Sequence, residues 1–157
     1  FLTMFSVGIA IGSFLCNILL KGEVKSTYVP YAAFGLSAFI IDLFFASAAA
    51  VIAEEESLMG VAQFLSHGAN IRIAFDLLMV SVSAGLFIVP LYAIMQAESA
   101  PESRARTIAS NNIVNALFMV LAGLATMAML AASFSVPQVF LTIGLLNLVV
   151  AVYIKRL

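Results

Sequence analysis

Charged side chains are scarce in this chain. Asp, Glu, Lys and Arg make up 10% of its 157 residues, where a soluble domain carries about 25%. The formal net charge is -1, and the concentrated basic patch that a nucleic-acid partner requires is missing. Cysteine occurs once, as Cys16 inside an apolar run, which excludes an internal disulfide and a cysteine-based metal cluster and marks Cys16 as a packing residue. Histidine also occurs once. Five residues after His67 stands Arg72, so the HxxxxD pair of an acyltransferase is excluded, and HExxH, GxSxG and phosphate-loop patterns are absent as well. The sequence predicts no catalytic centre, no cofactor and no metal site.

Apolar residues are present in excess, at 64% with a mean hydropathy of +1.15. A soluble domain of this size leaves roughly a third of its chain surface in water, too much to hide such a composition, so lipid must cover it. Five apolar runs, residues 1–20, 28–53, 71–96, 108–132 and 136–154, each reach the roughly 20 residues needed to cross a bilayer as a helix. Lipid offers the backbone no hydrogen-bond partner and the alternation of a barrel strand is lacking, so helices are required. The fold class expected is all-α, a polytopic membrane protein of five spans.

The cations sort by side. Lys21 and Lys25 follow the first run, Arg104 and Arg106 the third, Lys155 and Arg156 the fifth. Threading the runs alternately puts these on one face and leaves Arg72 on the other, near Glu54-Glu55-Glu56. The positive-inside rule then assigns an outside start and a cytoplasmic end. Residue 1 already lies in an apolar run, and an odd number of spans from an outside start is expected of the C-terminal piece of a longer protein. Pro101 is placed to start a short helical turn in the polar joint before the fourth run. In the outer segment, residues 58–65 read as an interfacial amphipathic turn, with His67 solvated beside it.

Small residues at helical spacing mark helix contacts in membranes. Gly8 and Gly12 form a GxxxG with Ser13 and Asn17 beside it; Gly35, Ala38, Asp42, Ala46 and Ala49 line the second run; Ser81 and Gly85 pair in the third; Ala122, Gly123 and Ala125 lie in the fourth. All spans are therefore expected to pack as one bundle. The polar residues inside the runs are the candidate site. Asp42 should face the bundle interior or a wet cavity, as a headgroup contact, a proton or cation site, or an interhelical hydrogen bond. Arg72 and Asp76, four apart, are expected to pair on one helix face at the outer end. Asp76, Ser83 and Pro90 recur every seven residues and share a face, with Pro90 freeing a carbonyl. Asn111, Asn112 and Asn115 open the fourth run, as caps and interhelical donors or as a cytoplasmic gate.

Two stretches, FSVGIAIGSFLCNILLKGEVKSTYVPYAAFG and RIAFDLLMVSVSAGLFIVPLYAIMQAESAPESRARTIASNNIVNALFMV, resemble the C-terminal half of bacterial lysophospholipid transporters of the major facilitator superfamily. The likeness runs over essentially the whole chain and is most specific between Arg72 and Val120. It implies that the runs are the eighth to twelfth spans of a twelve-helix transporter, completed by an N-terminal helix half. The turn holding Lys21, Gly22 and Lys25 then corresponds to the superfamily's basic loop, without its Asp-Arg. The resemblance implies inward movement of lysophospholipid, chiefly lysophosphatidylethanolamine, across the bacterial inner membrane by alternating access. Its alternatives are a drug or metabolite permease of the same superfamily and the membrane domain of a lysophospholipid acyltransferase fusion. Membrane lipid, the lysophospholipid and the other helix half are the partners expected.

Overall fold

The structure, a computed structural model, describes residues 2–50, 64 and 66–156, with the side chains of 48–50 left aside. Five helices account for nearly all of them: α1 Leu2–Leu20, α2 Val29–Ala50, α3 Gly68–Glu98, α4 Arg104–Ala131 and α5 Val136–Arg156. Each is long and apolar enough to cross a membrane, and the described residues include no strand. The chain is an all-α polytopic membrane protein. The interfacial turn expected over 58–65 falls outside the described residues, Phe64 excepted.

Helix α3 at both ends, α4 at its start and α5 at its end extend a few residues beyond their apolar runs. Helix α4 begins at Arg104, four residues before its apolar run, because Arg104, Arg106 and Thr107 are exposed or half-buried and still helical. At about 1.5 Å per residue the 31 residues of α3 extend about 46 Å, well past a hydrocarbon core of about 30 Å. It runs unbroken through Pro90. Two helices end in Schellman motifs whose first left-handed residue is not glycine. After α1, Gly22 donates to Asn17 O and Lys21 to Ile18 O, with Lys21 at φ 51 and Gly22 at φ 78. After α4, Phe134 donates to Met129 O and Ser133 to Leu130 O, with Ser133 at φ 67. Helix α5 then opens on a capping box: Ser135 N donates to Gln138 Oε1 at 2.7 Å, and Gln138 N to Ser135 Oγ at 3.4 Å. Pro101 sits in a turn whose Ser103 and Arg104 N–H groups both reach Ala100 O.

The bundle is built around α3, which packs on α1 and α2, while α2 also packs on α5. Helices α1 and α3 run parallel. Gly8 meets Ser81, and Gly12 meets Val82 and Gly85, so the GxxxG lets two backbones touch. A Cβ at Gly85 would come within 2.7 Å of Ile9 O. Helices α2 and α3 run antiparallel, with Gly35 against Ser83 and Phe39 edge-on to Phe75 at 6.1 Å between ring centroids. Helices α2 and α5 close at Gly144, where a Cβ would meet Ile41 at 2.8 Å.

Helix α4 departs from the single bundle expected. It has no buried residue, touches α3 and α5 only sparsely, and Gly123 has nothing within 4 Å of its Cβ direction. Its small residues therefore pack on nothing described here, and Phe118 and Met119 stand 64% and 75% exposed. Small-residue spacing shows that a helix can be approached closely, not that the approaching helix lies in the same chain.

Candidate functional site

Two polar clusters sit at opposite ends of α3. The first joins α2 to α3. Arg72 Nε donates to Asp42 Oδ2 at 3.0 Å and its Nη2 to Asp42 Oδ1, a forked pair that fixes both planes. The pair expected along α3, Arg72 with Asp76, is not the one formed. Four apart on α3, the two lie on one side of the helix, but the Arg72 side chain is about half exposed whereas Asp76 is buried at 1% exposure. Asp42 presents both carboxyl oxygens in line with the guanidinium fork, and so takes it. The pairing also puts Asp42 level with the first turns of α3, toward the helix end opposite the basic joints.

Asp76 is left without its expected partner. Its Oδ2 meets no hydrogen-bond donor among the described residues, one helical turn along α3 from the Arg72 that holds Asp42. Asp76, Ser83 and Pro90 are all buried, so the seven-residue recurrence does trace the inward face of α3. Ser83 lies against Gly35 of α2. Pro90 lines, with Ser13, Cys16 and Asn17 of α1, an open hollow of about 150 Å³.

The second cluster is held by a residue that the sequence reading passed over. Asn111 and Asn115 both donate their side-chain amides to Tyr92 Oη, at 3.0 and 3.1 Å, which ties α4 to α3. Asn112, on another face of α4, is exposed. None of the three caps the helix, whose N-cap position is Ser103. Tyr92 stands 20 residues after Arg72, about 30 Å along the axis, so Asp42 and the Asn group are not brought together. A third tie was also passed over. Asn147 of α5 donates to Ala33 O and Ser37 Oγ, both at 2.9 Å, and the signal for it was visible as a lone amide in an apolar run.

The charged joints gather at one end. In the first, Lys25 pairs with Glu23 and holds its carboxyl below the usual carboxylate range, through a hydrogen bond first and charge second. Lys155 stands over the Phe34 ring at 5.6 Å. Lys21, Arg104 and Arg106 are exposed. Arg104 and Arg106 occupy the first turn of α4, where the helix dipole disfavours cations, so helix electrostatics do not account for them. His67 precedes α3 in extended backbone, exposed and in contact with Ser66 Oγ through Nδ1 at 3.2 Å. Comparisons with family models, with curated proteins and with solved structures gave no match to this chain.

Proposed function

We propose that this chain is the C-terminal part of a transporter of the major facilitator superfamily that moves lysophospholipid, chiefly lysophosphatidylethanolamine, across a bacterial inner membrane. The observation that carries the reading is the state of α4, a spanning helix with no buried residue. Its bare Ile113, Phe118 and Met119 suit an apposed helix half on one side and an acyl chain on another. The resemblance over Arg72 to Val120 supplies the substrate class. The two polar clusters suit it as well: Arg72–Asp42 and Tyr92–Asn111–Asn115 stand about 30 Å apart along α3, one near each surface, where a zwitterionic headgroup would enter and leave as the halves rock. Cations at the head of α4, against its dipole, fit a cytoplasmic placement of that end, and with it an outside start and a cytoplasmic C-terminus.

The test is uptake of labelled lysophosphatidylethanolamine by cells that lack their own lysolipid uptake and express the full-length protein. Retention of label in inner-membrane lipid above vector control supports the reading. Uptake equal to control, with the protein shown to be in the membrane, refutes it; extrusion of dyes instead favours a drug permease.

A further inference from the structure

The α2–α3 contact contains an imbalance of charge and of hydrogen bonds. Two carboxyl groups, Asp42 and Asp76, face one guanidinium, Arg72. Arg72 gives its fork to Asp42, and Asp76, at 1% exposure, keeps an oxygen with no donor. Among the described residues, no other Lys or Arg belongs to the helices that meet here. Helix α1, the other helix packed on α3, contains no Asp, Glu, Lys, Arg or His. Helix α2 contributes Asp42 alone. The remaining charged residue of α3, Glu98, is at its far end. His67 lies roughly 13 Å away along the helix axis, and Glu54, Glu55 and Glu56 fall outside the described residues. An ionised Asp76 would leave one negative charge uncompensated in a packed membrane interior, a costly arrangement.

A single proton removes both imbalances. Protonated, Asp76 has an O–H donor, and the carboxylate placed to accept it is that of Asp42, which Arg72 holds against α3 one turn away. A hard metal cation fits less well, since it takes about six or more oxygen ligands, and here two carboxyl groups are offered, one of them already forked by arginine. We propose that Asp42 and Asp76 form a proton-binding site at the outer end of the α2–α3 contact, with the exchangeable proton on Asp76.

The Asp42 and Arg72 side chains are about half exposed, which gives this buried carboxyl a polar route out of the packed contact. When the proton leaves Asp76 for water, the O–H bond breaks and the hydrogen bond it gave to Asp42 is lost with it, leaving two carboxylates beside one guanidinium. The new carboxylate, four residues from Arg72 on the same helix, then competes with Asp42 for the guanidinium. Transfer of the fork from Asp42 to Asp76 releases α2 from α3 at that end, so proton occupancy sets whether the two helices are clasped. This goes beyond the transport reading and stands without it, because the site takes a proton whatever the cargo.

The test uses purified full-length protein in lipid, titrated with pH under infrared detection of protonated carboxyl groups. The wild type should show a protonated-carboxyl band that is lost as pH rises. Asp76→Asn, which supplies a permanent donor of the same shape, should abolish that band, and Asp42→Asn should shift it. Spin labels at Phe45→Cys and Ile71→Cys, in a Cys16→Ala background, report the clasp. Their distance distribution should broaden at high pH in the wild type and stay narrow in Asp76→Asn. A wild type with no titrating band, or a band that survives in Asp76→Asn, overturns the proposal. So does a clasp that responds to sodium and not to pH, which would make the site a metal-cation site.

Discussion

Gly12→Ala and Gly123→Ala are the same chemical change in two spanning helices, yet the structure gives them opposite signs. A methyl at Gly12 points at backbone: Val82 C would lie 3.0 Å away and Gly85 Cα 3.1 Å. No rotamer change relieves contact with backbone, so α1 and α3 must part along the line where Gly8, Gly12 and Gly85 let them touch. Overpacking of a tight contact costs about 1–3 kcal/mol, and backbone on the receiving side argues for the upper end. Replacing glycine by alanine in a helix returns about 0.8–1.0 kcal/mol. The net expectation is a loss of about 2 kcal/mol, a roughly 30-fold shift toward the unfolded state. At Gly123 nothing lies within 4 Å, so only the helix-propensity gain of up to about 1 kcal/mol remains. Unfolding of purified protein in mixed micelles with rising SDS, followed by circular dichroism, measures both. Equal midpoints for the two variants, or a Gly12→Ala protein as stable as wild type, would refute the α1–α3 contact.

Tyr92→Phe removes the hydroxyl that accepts from both Asn111 and Asn115; the last turns of α3 and the first turns of α4 should separate more often, read as faster amide exchange at 107–116. Asn147→Leu loses two interhelical hydrogen bonds and should destabilise by about 0.6 kcal/mol, up to about 1.7, in the same SDS titration, with little effect if α2 and α5 do not meet there. Asp42→Ala strands Arg72 and should impair lysolipid uptake while leaving membrane insertion intact. Asp42→Asn, which keeps one acceptor, should be milder, and wild-type uptake in Asp42→Ala would show the residue to be dispensable.

Much of the architecture was legible because lipid makes a simple demand. Twenty apolar residues in a row have few alternatives to a spanning helix, and the five runs and five helices coincide to within a few residues at most described ends. The inward face of α3 was legible too, since Asp76, Ser83 and Pro90 would otherwise expose two polar groups to hydrocarbon. What spacing could not give was the partner across a helix contact. The four-residue step from Arg72 to Asp76 is visible in the sequence. The fork to Asp42, 30 residues away, depends on how α2 and α3 are rotated against each other. For the same reason Ala122, Gly123 and Ala125 suggested packing that α4 does not make within the described chain. Tyr92 and Asn147 were missed for another reason: each is a single polar group in an apolar stretch, and its role shows only once its neighbour is placed. The Ser135–Gln138 box, by contrast, could have been read directly from S-x-x-Q ahead of an apolar run.

Five crossings, with the basic joints proposed to face the cytoplasm, are the basis of the transport reading, and cysteine mapping tests them directly. In a Cys16→Ala background, single substitutions Ser66→Cys, Ser133→Cys, Ser26→Cys and Ser103→Cys place one thiol at each of the four joints. An impermeant thiol reagent applied to intact cells should label the first two and reach the last two only after the membrane is opened. Labelling of Ser26→Cys and Ser103→Cys in intact cells, with Ser66→Cys and Ser133→Cys protected, would contradict the sidedness. Labelling of all four would contradict the five crossings themselves.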